Sequence, residues 1–126
     1  MPLVTPQLLS WQFKNYPNAH QTRANLLAHV FTTPLFVAAL VTAPVAAWLG
    51  QWVVFSASVA VVPLTLVLQG RGHAGEPIAP APFLSPLDFV ARFVAEQFVT
   101  FPRFVFSGGF TRAWSRAADR PAASVK

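Results

Sequence analysis

The chain contains three histidines, His20, His29 and His73, and no cysteine. Imidazole is the commonest protein metal ligand and the usual general base near neutral pH, so these positions are where chemistry could reside. The absence of thiols excludes disulfides, thiolate metal ligands and a cysteine nucleophile. Asn25 stands four residues before His29, and Gln69 four residues before His73. On a helix such a pair shares a face, so each amide could orient its imidazole or contact a ligand. Glu76, three residues past His73, could serve as a carboxylate ligand or a base. Glu96 lies among Phe93, Val94, Phe98 and Val99, with Arg92 four residues earlier as its expected ion-pair partner. The candidate metal ligands are therefore His20, His29 and His73, and the candidate catalytic or orienting groups are Asn25, Gln69 and Glu76. There is no nucleophile elbow and no phosphate-binding glycine loop, so acyl transfer and nucleotide chemistry find no support.

These residues need elements that bring them together. Nine positions of unbroken helix would put His20 and His29 about 13 Å apart on opposite faces. A shared cation therefore requires a bend near His20, and Tyr16-Pro17-Asn18 supplies a possible one. His73 is remote in sequence and needs a different device. From Ala24 to Gly70 the chain has no Asp, Glu, Lys or Arg. That stretch holds two apolar segments, Val30–Leu49 and Trp52–Leu68, with His29 just before the first and His73 just after the second. At about 1.5 Å per residue they reach roughly 30 and 25 Å, enough for a bilayer core of about 30 Å. A helical hairpin of this kind returns both of its ends, and both histidines, to one side of a membrane.

The composition agrees: 54% of residues are hydrophobic and 10% charged, against roughly 25% charged in ordinary globular domains. Two fully buried helices of a soluble protein would need a shell of amphipathic helices that the remaining residues cannot supply. The net charge of +5 comes from Lys14, Arg23, Arg71, Arg92, Arg103, Arg112, Arg116, Arg120 and Lys126, set against four acids. All nine basic residues lie outside the hairpin, whose tip, Gly50-Gln51, has none. Membrane topology thus explains the basicity better than nucleic-acid binding does. The positive-inside rule places both termini and all three histidines on the cytoplasmic side of a bacterial inner membrane. The N-terminus lacks the charge-then-apolar pattern of a cleaved signal peptide.

The flanking segments read as interfacial or amphipathic helices. Thr5–Tyr16 is expected to be a short surface helix anchored by Leu8, Leu9, Trp11 and Phe13. A second is expected from about Ala19 to Phe31, with Thr33-Pro34 opening the spanning helix afresh. Gly70–Ser85, rich in glycine and proline, is expected to be a loop. Ser85-Pro86-Leu87-Asp88 then starts a helix with Leu87, Val90, Val94, Phe98 and Phe101 on one face. Its Asp88, Arg92, Glu96 and Thr100 form a separate polar stripe, and Pro102 interrupts it. The expected architecture is all-α, an integral membrane hairpin (residues 30–68) within one domain of residues 1–110. A basic tail, frayed after Asp119, occupies 111–126.

His20-x4-Asn25-x3-His29 opening the first span, Gln69-x2-Gly72-His73 after the second, and a proline-containing segment beyond form an ordered pattern. Over roughly Tyr16–Phe110 it resembles the Mpo1-like family of membrane proteins, whose yeast member is an iron(II)-dependent dioxygenase of 2-hydroxy fatty acids. The family often has a Phe-Glu pair four residues past its Gly-His, then Pro-Ala. Here the loop reads Gly72-His73-Ala74-Gly75-Glu76-Pro77, with the carboxylate shifted. The resemblance implies Fe(2+) as cofactor, a 2-hydroxy fatty acid and O2 as substrates, and α-oxidation that shortens the acid by one carbon. It also implies a clamp for the substrate carboxylate, for which Arg23 and Arg71 are the candidates. Two alternatives stand beside it: a bis-histidine haem protein using His29 and His73 as axial ligands, and a structural or partner-binding hairpin with incidental histidines. Oligomeric state is left open.

Overall fold

The computed structural model describes residues 2–118, and within them the chain is all-helical. Helix α1 (Pro6–Asn15) starts at Thr5, whose hydroxyl accepts from the Leu8 amide, with proline in the first turn. A single 3-10 turn, Tyr16–Ala19, then swings the chain round. Helix α2 (Arg23–Trp48) is capped by the Thr22 hydroxyl on the Asn25 amide, and α3 (Trp52–Ala74) returns antiparallel to it. The reversal turns at Gly50, whose φ of 67° is a backbone region open to glycine at little cost. Both helices are long and apolar enough to cross a membrane, and only 33% and 17% of their apolar windows are buried.

The expected break at Thr32-Thr33-Pro34 is absent: α2 runs unbroken through Pro34 and Pro44, and α3 through Pro63. Leaving the helix in an apolar setting would strand several backbone groups, which costs more than the one hydrogen bond a proline removes. The expected loop after Gly70 is likewise corrected, since α3 continues through Gly70-Arg71-Gly72-His73-Ala74. The helical cost of each glycine is about 1 kcal/mol. Close packing of Gly72 on α2 offsets it: a Cβ there would overlap the Asn25 side chain and press on Ala28.

Beyond an extended segment, Ser85 caps α4 (Pro86–Ala95), as its sequence pattern predicts. One widened π turn, Glu96–Thr100, leads into α5 (Phe101–Phe106), and α6 (Gly109–Ala118) follows. Pro102 therefore does not end the helical run; the π turn absorbs its missing donor, and it sits in the first turn of α5. Domain organisation also shifts: Ala113 and Trp114 of α6 pack into the base of the molecule, so the folded part passes residue 110 and reaches Ala118. The fraying expected after Asp119 lies outside the described residues.

The apolar core sits at the open end of the hairpin, where Tyr16, Leu26, Phe101, Phe104 and Ala113 bury one another. Elsewhere the usual distribution is inverted. Gln12, Asn25, Thr32, Gln69, Gln97 and Thr100 are buried, while Val41, Trp48, Val53 and Leu64 are exposed. Helix α4 follows the same rule: Leu87 and Val90 face outward, and Arg92 and Glu96 turn inward. Phe93 docks on Phe36 of α2, ring centroids 4.9 Å apart.

Because Gly72 is in contact and Gly70 is not, alanine separates the two. Gly72→Ala should destabilise the protein by about 1–3 kcal/mol through overpacking. Gly70→Ala, with nothing within 4 Å of the added methyl, should be neutral or stabilising by up to about 1 kcal/mol. Thermal unfolding of the two variants in one detergent measures the contrast.

Candidate metal centre

His20 reaches the centre because the 3-10 turn ends just before it, folding the chain back over α2. This is the bend that the Tyr16-Pro17-Asn18 sequence predicts. His29 projects from the first turns of α2 and His73 from the last turn of α3, so the hairpin sets them side by side. The three rings stand nearly perpendicular, with centroids 4.6 Å (His20–His29), 4.7 Å (His20–His73) and 5.0 Å (His29–His73) apart. The fourth member is Glu96, at the start of the π turn. Ligand atoms of His20, His29, His73 and Glu96 all lie within 4.8 Å of one another.

The hydrogen bonds decide which nitrogens are available. His20 Nδ1 lies 2.8 Å from the Tyr16 carbonyl and His29 Nδ1 3.0 Å from the Asn25 carbonyl. A carbonyl only accepts, so each Nδ1 carries the proton and each Nε2 of the neutral ring presents a lone pair. Those two Nε2 atoms face each other at 3.4 Å. Glu96 Oε1 stands 3.1 Å from one and 3.6 Å from the other. Three acceptors converging with no donor between them is repulsive unless a cation sits among them. A proton is a poor candidate for that cation, because burial holds the His20 pKa below its usual value, against a partly compensating hydrogen bond to Glu96. A metal ion fits: donors at 2.0–2.1 Å around a tetrahedral or octahedral ion lie roughly 3.0–3.4 Å apart.

Glu96 is anionic. Burial alone would raise its pKa, but hydrogen bonds to His20 and His29 and their charges hold it well below the usual carboxylate range. Tyr16 completes the setting: its hydroxyl donates to Glu96 Oε1 at 3.0 Å and its ring stacks on His20 at 3.7 Å. Burial and the neighbouring carboxylate keep that phenol protonated by raising its pKa. The expected Arg92–Glu96 pair is corrected. Arg92 instead meets Asp88 at 3.5 Å, donates to the carbonyls of Ala81 and Pro82, and covers the rings of Phe83 and Trp11.

The structure sorts the other candidates. Glu76 is outside the cluster: its carboxylate accepts from the Gln21 and Thr22 amides, the Thr22 hydroxyl and Asn25 Nδ2, at 2.9–3.0 Å. It is a latch that ties the chain after α3 to the start of α2 and so holds His73 in place. Asn25 supports that latch, its Nδ2 also reaching the Ala19 carbonyl and lying 3.5 Å from His73 Nδ1. Gln69 exchanges two hydrogen bonds with Gln97, at 3.0 and 2.8 Å, and donates to Thr32, tying α3, the π turn and α2. Arg23 is engaged by α6, lying over the Trp114 ring and donating to its carbonyl. Arg71 is exposed on α3, away from the cluster's cavity. Neither is positioned as the carboxylate clamp that the resemblance implies.

Sequence reasoning passed over Tyr16, Gln97 and the role of Glu96, although Glu96's apolar neighbours signalled an acid at depth. The cluster closes one end of a cavity of about 550 Å³, walled by Trp11, Leu66, Ile78, Phe83, Phe89 and Phe93. A haem bridging His29 and His73 does not fit, because the macrocycle would occupy the space of His20 and Glu96. Compared with family models, curated proteins and solved structures, the chain matches none.

Two outcomes follow from the geometry. Glu76→Ala should weaken metal retention about 10–100-fold without removing a ligand, as changes to outer supports do, measured by competition with a chelator. Acid should destabilise the metal-free protein in two stages. His20, its pKa lowered in the fold, makes the unfolded chain the better proton acceptor from about pH 6.5 downward. Glu96, also lowered, adds a loss beginning near the ordinary carboxylate range and continuing below it. Thermal midpoints across pH 7 to 3 check this, and Glu96→Gln should abolish the second stage.

Proposed function

We propose that the protein is a membrane-embedded iron(II) dioxygenase of 2-hydroxy fatty acids, releasing an acid one carbon shorter. The observation that carries this reading is the set of convergent acceptors, His20 Nε2, His29 Nε2 and Glu96 Oε1, closing an apolar cavity. Nitrogen and carboxylate donors without thiolate suit iron(II), and four protein ligands leave coordination positions free. Iron(II), when bound, would supply the redox centre that oxygen and the hydroxy acid need. The overall conversion is R-CHOH-COOH + O2 → R-COOH + CO2 + H2O. It balances in atoms, and the substrate supplies all four electrons, so no nicotinamide, flavin or keto-acid co-substrate is required.

The chain's own residues account for the rest. A cavity of this volume with aromatic and aliphatic walls accommodates an acyl chain and excludes water. Tyr16 holds Glu96 by its hydroxyl, while the Tyr16 and Asn25 carbonyls hold His20 and His29 in one tautomer each. The order of histidines around the hairpin, with its similarity to the Mpo1-like pattern, supports the same assignment. Two lipid-crossing helices with every basic residue at their open end support an inner-membrane location with both termini in the cytoplasm.

Metal analysis of the detergent-purified protein should find about one iron per chain, and oxygen uptake with a 2-hydroxy fatty acid should match carbon dioxide release one for one. His29→Ala should lose iron and turnover together. Tyr16→Phe should keep the iron site but weaken it about 10–100-fold. Full turnover without either His29 or His73, or a product of unchanged chain length, would refute the assignment.

A further inference from the structure

On a different part of the surface from the metal cavity lies a second, smaller hollow of about 220 Å³, between the end of α1 and the corner joining α5 to α6. Its wall includes Lys14, Arg112 and Arg116, with Phe13 and Phe104 as an apolar floor and Ser107 at the side. Arg112 donates to the Ser107 carbonyl at 3.4 Å, which fixes the guanidinium at the edge of the hollow and leaves its other N–H groups free to donate. Arg103 covers the Phe13 ring at 3.9 Å and adds a fourth positive charge nearby.

No acid among the described residues neutralises this group. The chain has four acids. Glu76 is held at the start of α2, Asp88 by Arg92, and Glu96 in the metal cluster, while Asp119 lies outside the described residues. Three cations around one concave, apolar-floored hollow repel one another and stay together most readily where an anion visits. Its place in the fold identifies the source. Arg23, the first residue of α2, is bound to the Trp114 carbonyl, so α6 lies at the end where both long helices emerge. Phe106, 88% exposed, stands one residue before Ser107 and offers an apolar surface for a neighbouring acyl chain.

We propose that this hollow is a binding site for the phosphodiester of an anionic phospholipid. It rests on the membrane placement of the hairpin but not on the metal chemistry. The lipid would lie in the leaflet at the open end of the hairpin, its phosphate among Lys14, Arg112 and Arg116. Guanidinium groups suit phosphate oxygens because their paired N–H groups match the acceptor geometry.

Native mass spectrometry of the full-length, metal-loaded protein in detergent tests this, using equimolar phosphatidylglycerol and phosphatidylcholine. One phosphatidylglycerol should be retained in clear preference. Arg112→Gln/Arg116→Gln should lower that preference about tenfold or more while metal content, which reports folding, stays unchanged. Arg71→Gln, removing an exposed charge at the same end, should leave it intact. Should the double variant lose its metal, Lys14→Gln, on the exposed side of α1, carries the test, with a smaller loss of preference expected. Equal retention of the two lipids, or undiminished preference in the groove variants, would overturn the site. Displacement by millimolar inorganic phosphate would overturn the lipid in favour of a free anion. If the protein proves monodisperse in buffer without detergent, the membrane placement itself fails, a result separate from the lipid comparison.

Discussion

Everything at the base of this molecule depends on a repulsion. Two imidazole nitrogens with their lone pairs turned toward each other at 3.4 Å, and a carboxylate oxygen against both, form an arrangement that the chain cannot relax. The rings cannot rotate away without giving up the Nδ1 bonds to the Tyr16 and Asn25 carbonyls. The carboxylate cannot leave without abandoning the Tyr16 hydroxyl. Water enters poorly, since His20 and His29 are almost entirely buried. A low-polarity setting strengthens each interaction and penalises each unmet group, so a buried cluster of acceptors is tolerable only when its counter-charge is part of the design.

That rigidity is built from polar ties rather than from apolar packing. Gln69, Gln97 and Thr32 join α3, the π turn and α2 just beyond the cluster. Gln12 donates to the Arg92 carbonyl and accepts from Thr100, fastening α1 to α4 and the π turn. Glu76 closes the open end. In a soluble protein these amides would compete with water and contribute little. In an apolar surround they have no alternative partners within the spans, which explains why a chain so poor in charge buries so many polar side chains and turns its valines and leucines outward.

The hairpin and the meeting of three histidines were legible in the sequence because hydropathy fixes topology at low resolution. A charge-free stretch of that length must cross and return, and a proline near His20 must turn the chain. The helix boundaries were not legible, because local rules for Pro34, Gly70 and Gly72 describe chains in water. Packing on α2 and the cost of exposing backbone to an apolar medium overrode them. Glu96 was misread for a different reason. Its spacing from Arg92 suits an ion pair on a helix face, and nothing in the residue types reveals that the face turns inward or that the helix widens by a π turn there. Tyr16 looked only like a residue before a proline. Its partner Glu96 is 80 positions away, beyond the reach of any local pattern.

The π turn answers a geometric problem that a regular helix could not. Glu96 must reach the histidines while Gln97, the next residue, must reach Gln69, and on an ordinary helix adjacent side chains diverge by about 100°. Inserting one residue into the turn changes the angular register of all that follows, so Phe101 and Phe104 still reach the apolar base where Tyr16 packs. Such widened turns gather at functional sites because they cost hydrogen-bond geometry and persist only where something else depends on them. Here two things do: an anion delivered to the acceptor cluster, and an amide delivered to the tie behind it. A substitution that restored a regular helix at this point would swing one of them away, so the helical irregularity and the metal centre stand or fall together.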